Sequence, residues 1–250
     1  MKSTLKNRLK FFLGRVYWFY LATNFTIGFL LVFPWLMLSH YAKVPLLNTW
    51  ICKIWHWCFY ITLGVWVKNK YKAHFSARKT YIFCANHTSF LDIATMAGLM
   101  KGNYAFVGKS DIIHVPLFGL MFRKMHIPVD RESKVASAKA FLQMKKALQN
   151  GKSLIIFPEG GILTQNPPEM VEFKDGAFRL AIETQTPIVP ITLKWAWKVL
   201  PDDNSRRAYP HFLENIIHPA IETHTLSLQN LDELKRAVFE VIQSGLEKNL

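Results

Sequence analysis

The feature that most constrains this chain is a run of 24 residues, 16–39, without one charged side chain. Wound as an α-helix it measures roughly 36 Å, against roughly 30 Å for the hydrocarbon core of a bilayer. Trp18, Phe19, Leu21, Phe25, Phe29 and Leu36 lie within it, and Lys2, Lys6, Arg8, Lys10 and Arg15 precede it. Basic flanks stay on the cytoplasmic side, so the N-terminus is predicted inside. The apolar core is too long for a signal peptide, and no small-residue cleavage site is evident. The competing reading, a pair of core helices in a soluble domain, suffers because uncharged runs this long are rare outside membranes.

A second apolar stretch, residues 44–67, carries Trp50, Trp55, Trp57, Phe59, Tyr60 and Trp66, together with Lys53 and His56. The last two are costly deep in hydrocarbon, whereas Trp and Tyr favour the headgroup level. This stretch is expected to lie in the interface or to re-enter one leaflet. A monotopic helical hairpin and a single true span both satisfy the pattern.

The charge is distributed unevenly. Residues 1–91 hold twelve Lys or Arg and no acid; the first acidic residue is Asp92. Over all 250 residues, 31 Lys+Arg against 17 Asp+Glu leave a net charge of +14. Such a surplus favours anionic partners. Combined with an acid-free apolar stretch it suits a phospholipid surface, and no nucleic-acid reading motif accompanies it, so no nucleic-acid partner is expected. Cys52, Cys58 and Cys84 do not form a disulfide framework, which is consistent with a reducing, cytoplasmic environment.

From Lys68 onward short apolar runs alternate with helical stretches. Strands are predicted at 81–85, 104–108, 127–129, 153–157 and 188–193, the last demoted to an edge or a bulge by Pro190. Helices are predicted at 88–100, 133–150 (stopped by Gly151), 174–184 and 231–248. This alternation predicts an α/β layered domain. The chain is expected to divide into membrane-anchoring helices, 1–67, and an α/β domain, 68–250.

Three segments could carry chemistry. Asn86-His87-Thr88-Ser89-Phe90-Leu91-Asp92 follows a predicted strand and opens a predicted helix. Within one helix, positions five apart stand about 140° from each other. His87 must therefore sit in the loop or at the cap, with Asp92 reaching back to one imidazole nitrogen. A carboxylate there fixes the tautomer and stabilises the imidazolium formed when the other nitrogen takes a proton. The alternative is a capping Thr88 beside an incidental histidine. Phe157-Pro158-Glu159-Gly160-Gly161 ends another strand, and its glycines would let main-chain amides approach an anion. Ile127-Pro128-Val129-Asp130-Arg131 places an arginine where it can grip a phosphate, and Lys109 could add a point charge. Ordinary strand exits and solvated surface cations are the bland counterparts of both. The histidines show no metal-ligand spacing, so no metal is expected; a Gly-x-Ser-x-Gly elbow, a Gly-x-Gly-x-x-Gly fingerprint and a P-loop are all missing.

In this order the segments resemble the lysophosphatidate (1-acyl-sn-glycerol-3-phosphate) acyltransferase family. The resemblance rests on the His-x-x-x-x-Asp spacing of His87 and Asp92, the stretch ending in Asp130-Arg131, the Phe-Pro-Glu-Gly of 157–160, and Ile188-Val189-Pro190-Ile191. Val107-Gly108-Lys109-Ser110, Pro116, Gly119 and Phe173-Lys174-Asp175-Gly176-Ala177-Phe178 are also similar to family text, so the match spans about residues 80–195. It implies a glycerolipid acyltransferase-like fold, a mixed sheet flanked by helices with an N-terminal membrane-anchoring segment. It implies catalysis by His87 and Asp92 on an acceptor hydroxyl that attacks the thioester of acyl-CoA or acyl carrier protein, without a covalent acyl-enzyme or a permanently bound cofactor. Lys109 and Arg131 would match positions linked to acceptor phosphate, and Glu159, Gly160 and Gly161 the acceptor-site motif. The catalytic domain would sit on the cytoplasmic face of the inner (plasma) membrane.

Two departures bear on the acceptor. The family usually continues Glu-Gly with Thr and then Arg or another polar residue, where this chain has Gly161 and Ile162. It usually carries Gly six residues before the arginine, where Met125 stands. The acceptor is then lysophosphatidate held differently, or another lysolipid such as an acylated amino-acid lipid. A non-catalytic lipid-binding protein and a hydrolase using Ser89 are the readings from other classes.

Overall fold

The computed structural model describes residues 2–247, with side chains from residue 6 onward. The two apolar stretches become α1 (Lys2–Tyr41) and α2 (Pro45–Thr62), with Pro45 opening the second helix, where its missing N–H costs nothing. They form an antiparallel hairpin. The Tyr17 and Tyr20 hydroxyls donate to the carbonyls of Leu63 and Thr62, each at 2.7 Å, so the end of α2 returns beside the first half of α1.

Among the described residues one seven-stranded sheet follows: β1 (Val67–Tyr71), β2 (Ile82–Ala85), β3 (Tyr104–Lys109), β4 (Ile127–Val129), β5 (Ser153–Ile156), β6 (Ile188–Lys194) and β7 (Leu213–Ile217). The order is β1-β7-β6-β2-β5-β3-β4. Strands β2 to β6 run parallel; β7 pairs antiparallel with β6 and carries β1 parallel to itself. The helices between them are α3 (Leu91–Leu99), α4 (Phe118–Met125), α5 (Lys134–Gln149), α6 (Gly176–Thr184), α7 (Ala196–Val199) and α8 (Leu231–Glu247).

Strand alternation builds the layers. Ile82, Cys84, Leu154 and Ile188 point to one face, where α5, α6 and α8 cover them. Phe83, Ala85, Ile155, Val189 and Ile191 point to the other, against Met96 and Leu99 of α3 and Phe122 of α4. Fully burying one such side chain contributes about 1.5–3 kcal/mol, so strands buried on both faces anchor the layer. This is the expected α/β architecture, a mixed sheet flanked by helices behind an apolar N-terminal helix.

The helical hairpin lies along this layer. The Ala208 N–H donates to the Gly14 carbonyl at 2.9 Å, and a Cβ on Gly14 would meet the Tyr209 hydroxyl at 2.7 Å. Farther along α1, Phe29 and Leu36 pack with Met121 and Met125 of α4. Leu21, Phe59 and Tyr60 share a cluster with Leu91, Val199 and Leu213. The boundary at 67/68 falls on the first residue of β1.

Four sequence expectations are corrected. β6 is a central strand, not an edge: it pairs with β2 on one side and β7 on the other. Pro190 fits there because its carbonyl takes the His218 N–H at 3.1 Å just beyond the last residue of β7, where the missing proline donor interrupts no interior rung. The bulge lies on the partner strand. Ile188 bridges Ile221 while Ile191 pairs with Ile217, so three residues, 218–220, face two. Helix α3 starts at Leu91 rather than Thr88, for a reason that belongs to the site. Finally, β1 and β7 are strands that the apolar pattern did not reveal. The expected last residue of the closing helix, Lys248, lies outside the described residues.

Candidate active site

The site is built at the ends of β2 and β5, where the chain leaves the sheet. Asn86, fully buried, ends β2 with a two-pronged bond to β6: its amide N–H donates to the Leu193 carbonyl at 2.9 Å, and its oxygen accepts the Leu193 N–H at 2.7 Å. Asn86→Ala would strand both main-chain groups in the interior. At about 1–3 kcal/mol for each unsatisfied group, the melting temperature should fall by about 5–15 °C in detergent. A shift under about 2 °C would show that the strand exit does not depend on this clamp.

His87 follows in the loop. Its Nδ1–H donates to Asp92 Oδ2 at 3.0 Å, leaving Nε2 for a substrate. The ring stacks on Phe157 with centroids 4.0 Å apart and planes 16° from parallel. Asp92 is fully buried in the first turn of α3. The same Oδ2 accepts the N–H groups of Thr88 at 2.7 Å and Ser89 at 2.9 Å. These bonds explain the late helix start. The carboxylate takes two main-chain donors back into the loop, so residues 88–90 form a turn around it. Ser89, also fully buried, donates its hydroxyl to the Leu200 carbonyl at 2.8 Å.

Glu159 stands behind His87, and each oxygen of its buried carboxylate accepts a main-chain donor. Oε1 accepts the His87 N–H at 2.7 Å and Oε2 the Val171 N–H at 3.0 Å. Burial raises its pKa above the ordinary value, opposed by those two donors. Gly160 has φ +89°, a conformation that favours glycine, and its N–H donates to the Phe157 carbonyl at 3.0 Å. That amide is spent within the turn and is not free for an anion.

The expected cations are brought to the rim unequally. A Cβ on Gly160 would meet Arg131 Nη1 at 3.1 Å, so the arginine reaches the glycine turn. Lys109 at the end of β3 is exposed and paired with Asp111, which raises its pKa first through their hydrogen bond; the Arg131 charge opposes that rise. Sequence reasoning did not assign Lys174 to the site. The same Cβ would meet its Nζ at 2.9 Å, and the Phe173-Lys174 segment was visible as a motif without a role. Among the described residues no group of three or more His, Cys, Asp or Glu could hold a metal ion.

A cavity of about 1070 Å³ lies between the helical hairpin and the α/β layer. Phe25, Phe29, Trp55, Phe59, Phe118 and Met121 line it, and at Phe90 and Leu91 it reaches the turn that carries the His–Asp pair.

Fold and site together define an α/β protein with an apolar N-terminal helix and a carboxylate-paired histidine, an arrangement that can take a proton from a hydroxyl without a serine nucleophile. The sequence model described as Acyltransferase matches residues 65–194, more than half of the chain. The chain belongs to the acyltransferase family. It is 28% identical over 173 residues to a 1-acyl-sn-glycerol-3-phosphate acyltransferase of Chlamydomonas reinhardtii, covering 69% of this chain and 50% of that one. It is 32% identical over 121 residues to a chloroplastic relative of the same description from Brassica napus, covering 48% and 34%. The chain thus spans half or less of the length of these curated relatives. The crystal structure of the 1-acyl-sn-glycerophosphate (LPA) acyltransferase PlsC from Thermotoga maritima has the same fold, with a TM-score of 0.76, 21% identity and 96% of each chain covered.

Proposed function

We propose that this protein transfers a fatty-acyl group from acyl-CoA or acyl carrier protein to the free hydroxyl of 1-acyl-sn-glycerol-3-phosphate, giving phosphatidate. The observation that carries the reading is His87 held on Asp92 at 3.0 Å, in a turn whose Phe90 and Leu91 line the cavity under the hairpin. His87 Nε2 takes the hydroxyl proton as the acceptor oxygen attacks the thioester carbonyl. The new C–O bond forms, the C–S bond breaks, and the imidazolium returns the proton to the leaving thiolate. Asp92 stabilises the imidazolium between these steps. The binding of the Ser89 hydroxyl to the Leu200 carbonyl supports direct transfer and counts against a serine hydrolase. The decisive assay is transfer from labelled acyl-CoA to a panel of lysolipids, with His87→Ala as the control.

In this reading His87 and Asp92 are catalytic, while Lys109, Arg131 and the Gly160-Gly161 turn face the acceptor. Glu159 enters as a positioning residue, because both its oxygens are taken by main-chain donors. The cavity, slightly larger than the about 300–1,000 Å³ typical of ligand sites, accommodates an acyl chain.

The division into anchoring helices, 1–67, and a catalytic domain, 68–250, belongs to the same proposal, with the hairpin held in the cytoplasmic leaflet of the inner (plasma) membrane. Among the described residues α1 is the one helix long and apolar enough to cross a membrane, over Lys6–Tyr41. Yet it rests against the α/β layer from Gly14 to Leu36, roughly 33 Å of helix, so a crossing would draw the layer into the hydrocarbon. Its outer face and that of α2 expose Phe19, Leu31, Trp35, Trp50 and Ile61, which suits insertion from one side. Arg8→Cys and Tyr41→Cys should both react with an impermeant maleimide from the cytoplasmic side of sealed vesicles, above the blank set by the unsubstituted chain. Labelling of the two from opposite sides would establish a span.

A further inference from the structure

Two residues past the Glu159-Gly160 pair, where the resemblance leads one to expect Arg or another polar residue, this chain has the apolar Ile162. We infer that Lys174 and Arg131 together form a clamp over Gly160 for the phosphomonoester of the acceptor. This assignment rests on the acyl-transfer reading above and narrows its acceptor to a lipid carrying a dianionic phosphate rather than an amino-acid headgroup.

Three observations support it. First, the position of Lys174 is built, not incidental. Its N–H donates to the Pro158 carbonyl at 2.9 Å, and three residues earlier the Val171 N–H donates to Glu159 at 3.0 Å. These two bonds lay residues 171–174 along the 158–160 turn and deliver the lysine to the glycine. Second, Lys174 Nζ and Arg131 Nη1 lie 2.9 Å and 3.1 Å from one point, the place where a Gly160 side chain would begin. Neither cation has a carboxylate within ion-pair distance among the described residues. Two like charges that close, without a counter-ion, repel unless an anion joins them. Third, the clamp adjoins the base. Glu159, the residue before Gly160, holds the His87 main chain at 2.7 Å, so a headgroup gripped there leaves the neighbouring glycerol hydroxyl near the imidazole.

The clamp combines a planar fork and a point charge, which suits a phosphate with several free oxygens. Gly160 is required at its centre. Any side chain would start among the cations and would sit at φ +89°.

The test uses the full-length protein in phospholipid vesicles, with Lys174→Met and Lys174→Arg. With lysophosphatidate as acceptor, Lys174→Met should raise the acceptor KM by about 10- to 100-fold, the value of one charge-assisted bond. The loss should fall on that KM rather than on kcat or the KM for the acyl donor, and Lys174→Arg should recover most of it. An unchanged acceptor KM overturns the clamp, as does an equal loss in both variants confined to kcat. If the wild type acylates no phosphorylated acceptor, the acyl-transfer reading fails instead. Calorimetric titration with sn-glycerol 3-phosphate then decides the clamp alone: binding that weakens in Lys174→Met supports it, and absent or unaltered binding overturns it.

Discussion

His87→Ala should lower acyl transfer to lysophosphatidate by about a hundred- to ten-thousandfold, the usual loss when a general base is removed. The measurement is incorporation of labelled acyl-CoA by the full chain in vesicles. The imidazole meets the rest of the protein through its bond to Asp92 and its stacking on Phe157, and the residue keeps its N–H bond to Glu159 whatever the side chain. The loop should therefore stay in place, and the melting temperature should move far less than in Asn86→Ala. Undiminished transfer by His87→Ala would end the mechanism. Transfer that vanishes with the acyl-donor KM unchanged would mark His87 as acting in the chemical step.

Asp92→Asn should cost a similar factor, about a hundred- to ten-thousandfold in kcat, for a reason that can be isolated. One oxygen, Oδ2, accepts all three bonds, from His87 Nδ1 and from the Thr88 and Ser89 main chain, while Oδ1 has no partner among the described residues. An asparagine can put its carbonyl in the place of Oδ2 and keep the loop. What it cannot supply is the negative charge that stabilises the imidazolium. A buried amide at the Oδ1 position adds a modest stability cost of about 1–3 kcal/mol. If kcat stays within about threefold of wild type, the carboxylate is only a loop cap and the paired-base reading fails. Asp92→Ala loses charge and loop together and would not separate the two.

Much of this was legible locally. The two apolar stretches predicted helices because the length of an apolar run is a property of consecutive residues. The strands at β2, β3, β4 and β5 showed as short apolar runs between turns. His87 and Asp92, five apart across a strand exit, carried their relation in their spacing. Other features could not be read this way. β1, with the sequence VKNKY, has no apolar run, and it is a strand because β7 offers it a parallel partner from residue 213 onward. Pro190 looked like an edge signal, yet its missing donor falls just past the end of β7. That the oxygens of Glu159 meet main-chain donors 72 and 12 residues away carried no local signal. The clamp on Asn86 spans 107 residues to Leu193. Lys174 was one exposed lysine among many until the chain laid it beside Arg131 over Gly160.

The amino-acid sequence by itself determined the apolar anchor, the α/β alternation and the histidine–aspartate spacing, since each depends on neighbours a few positions apart. The tertiary structure alone decided that α1 runs beside the sheet, that Glu159 holds the backbone of His87, and that two distant cations converge on one bare glycine. Those choices follow from burial and from satisfying main-chain donors across the sheet, which join residues whose separation along the chain carries no periodic signal.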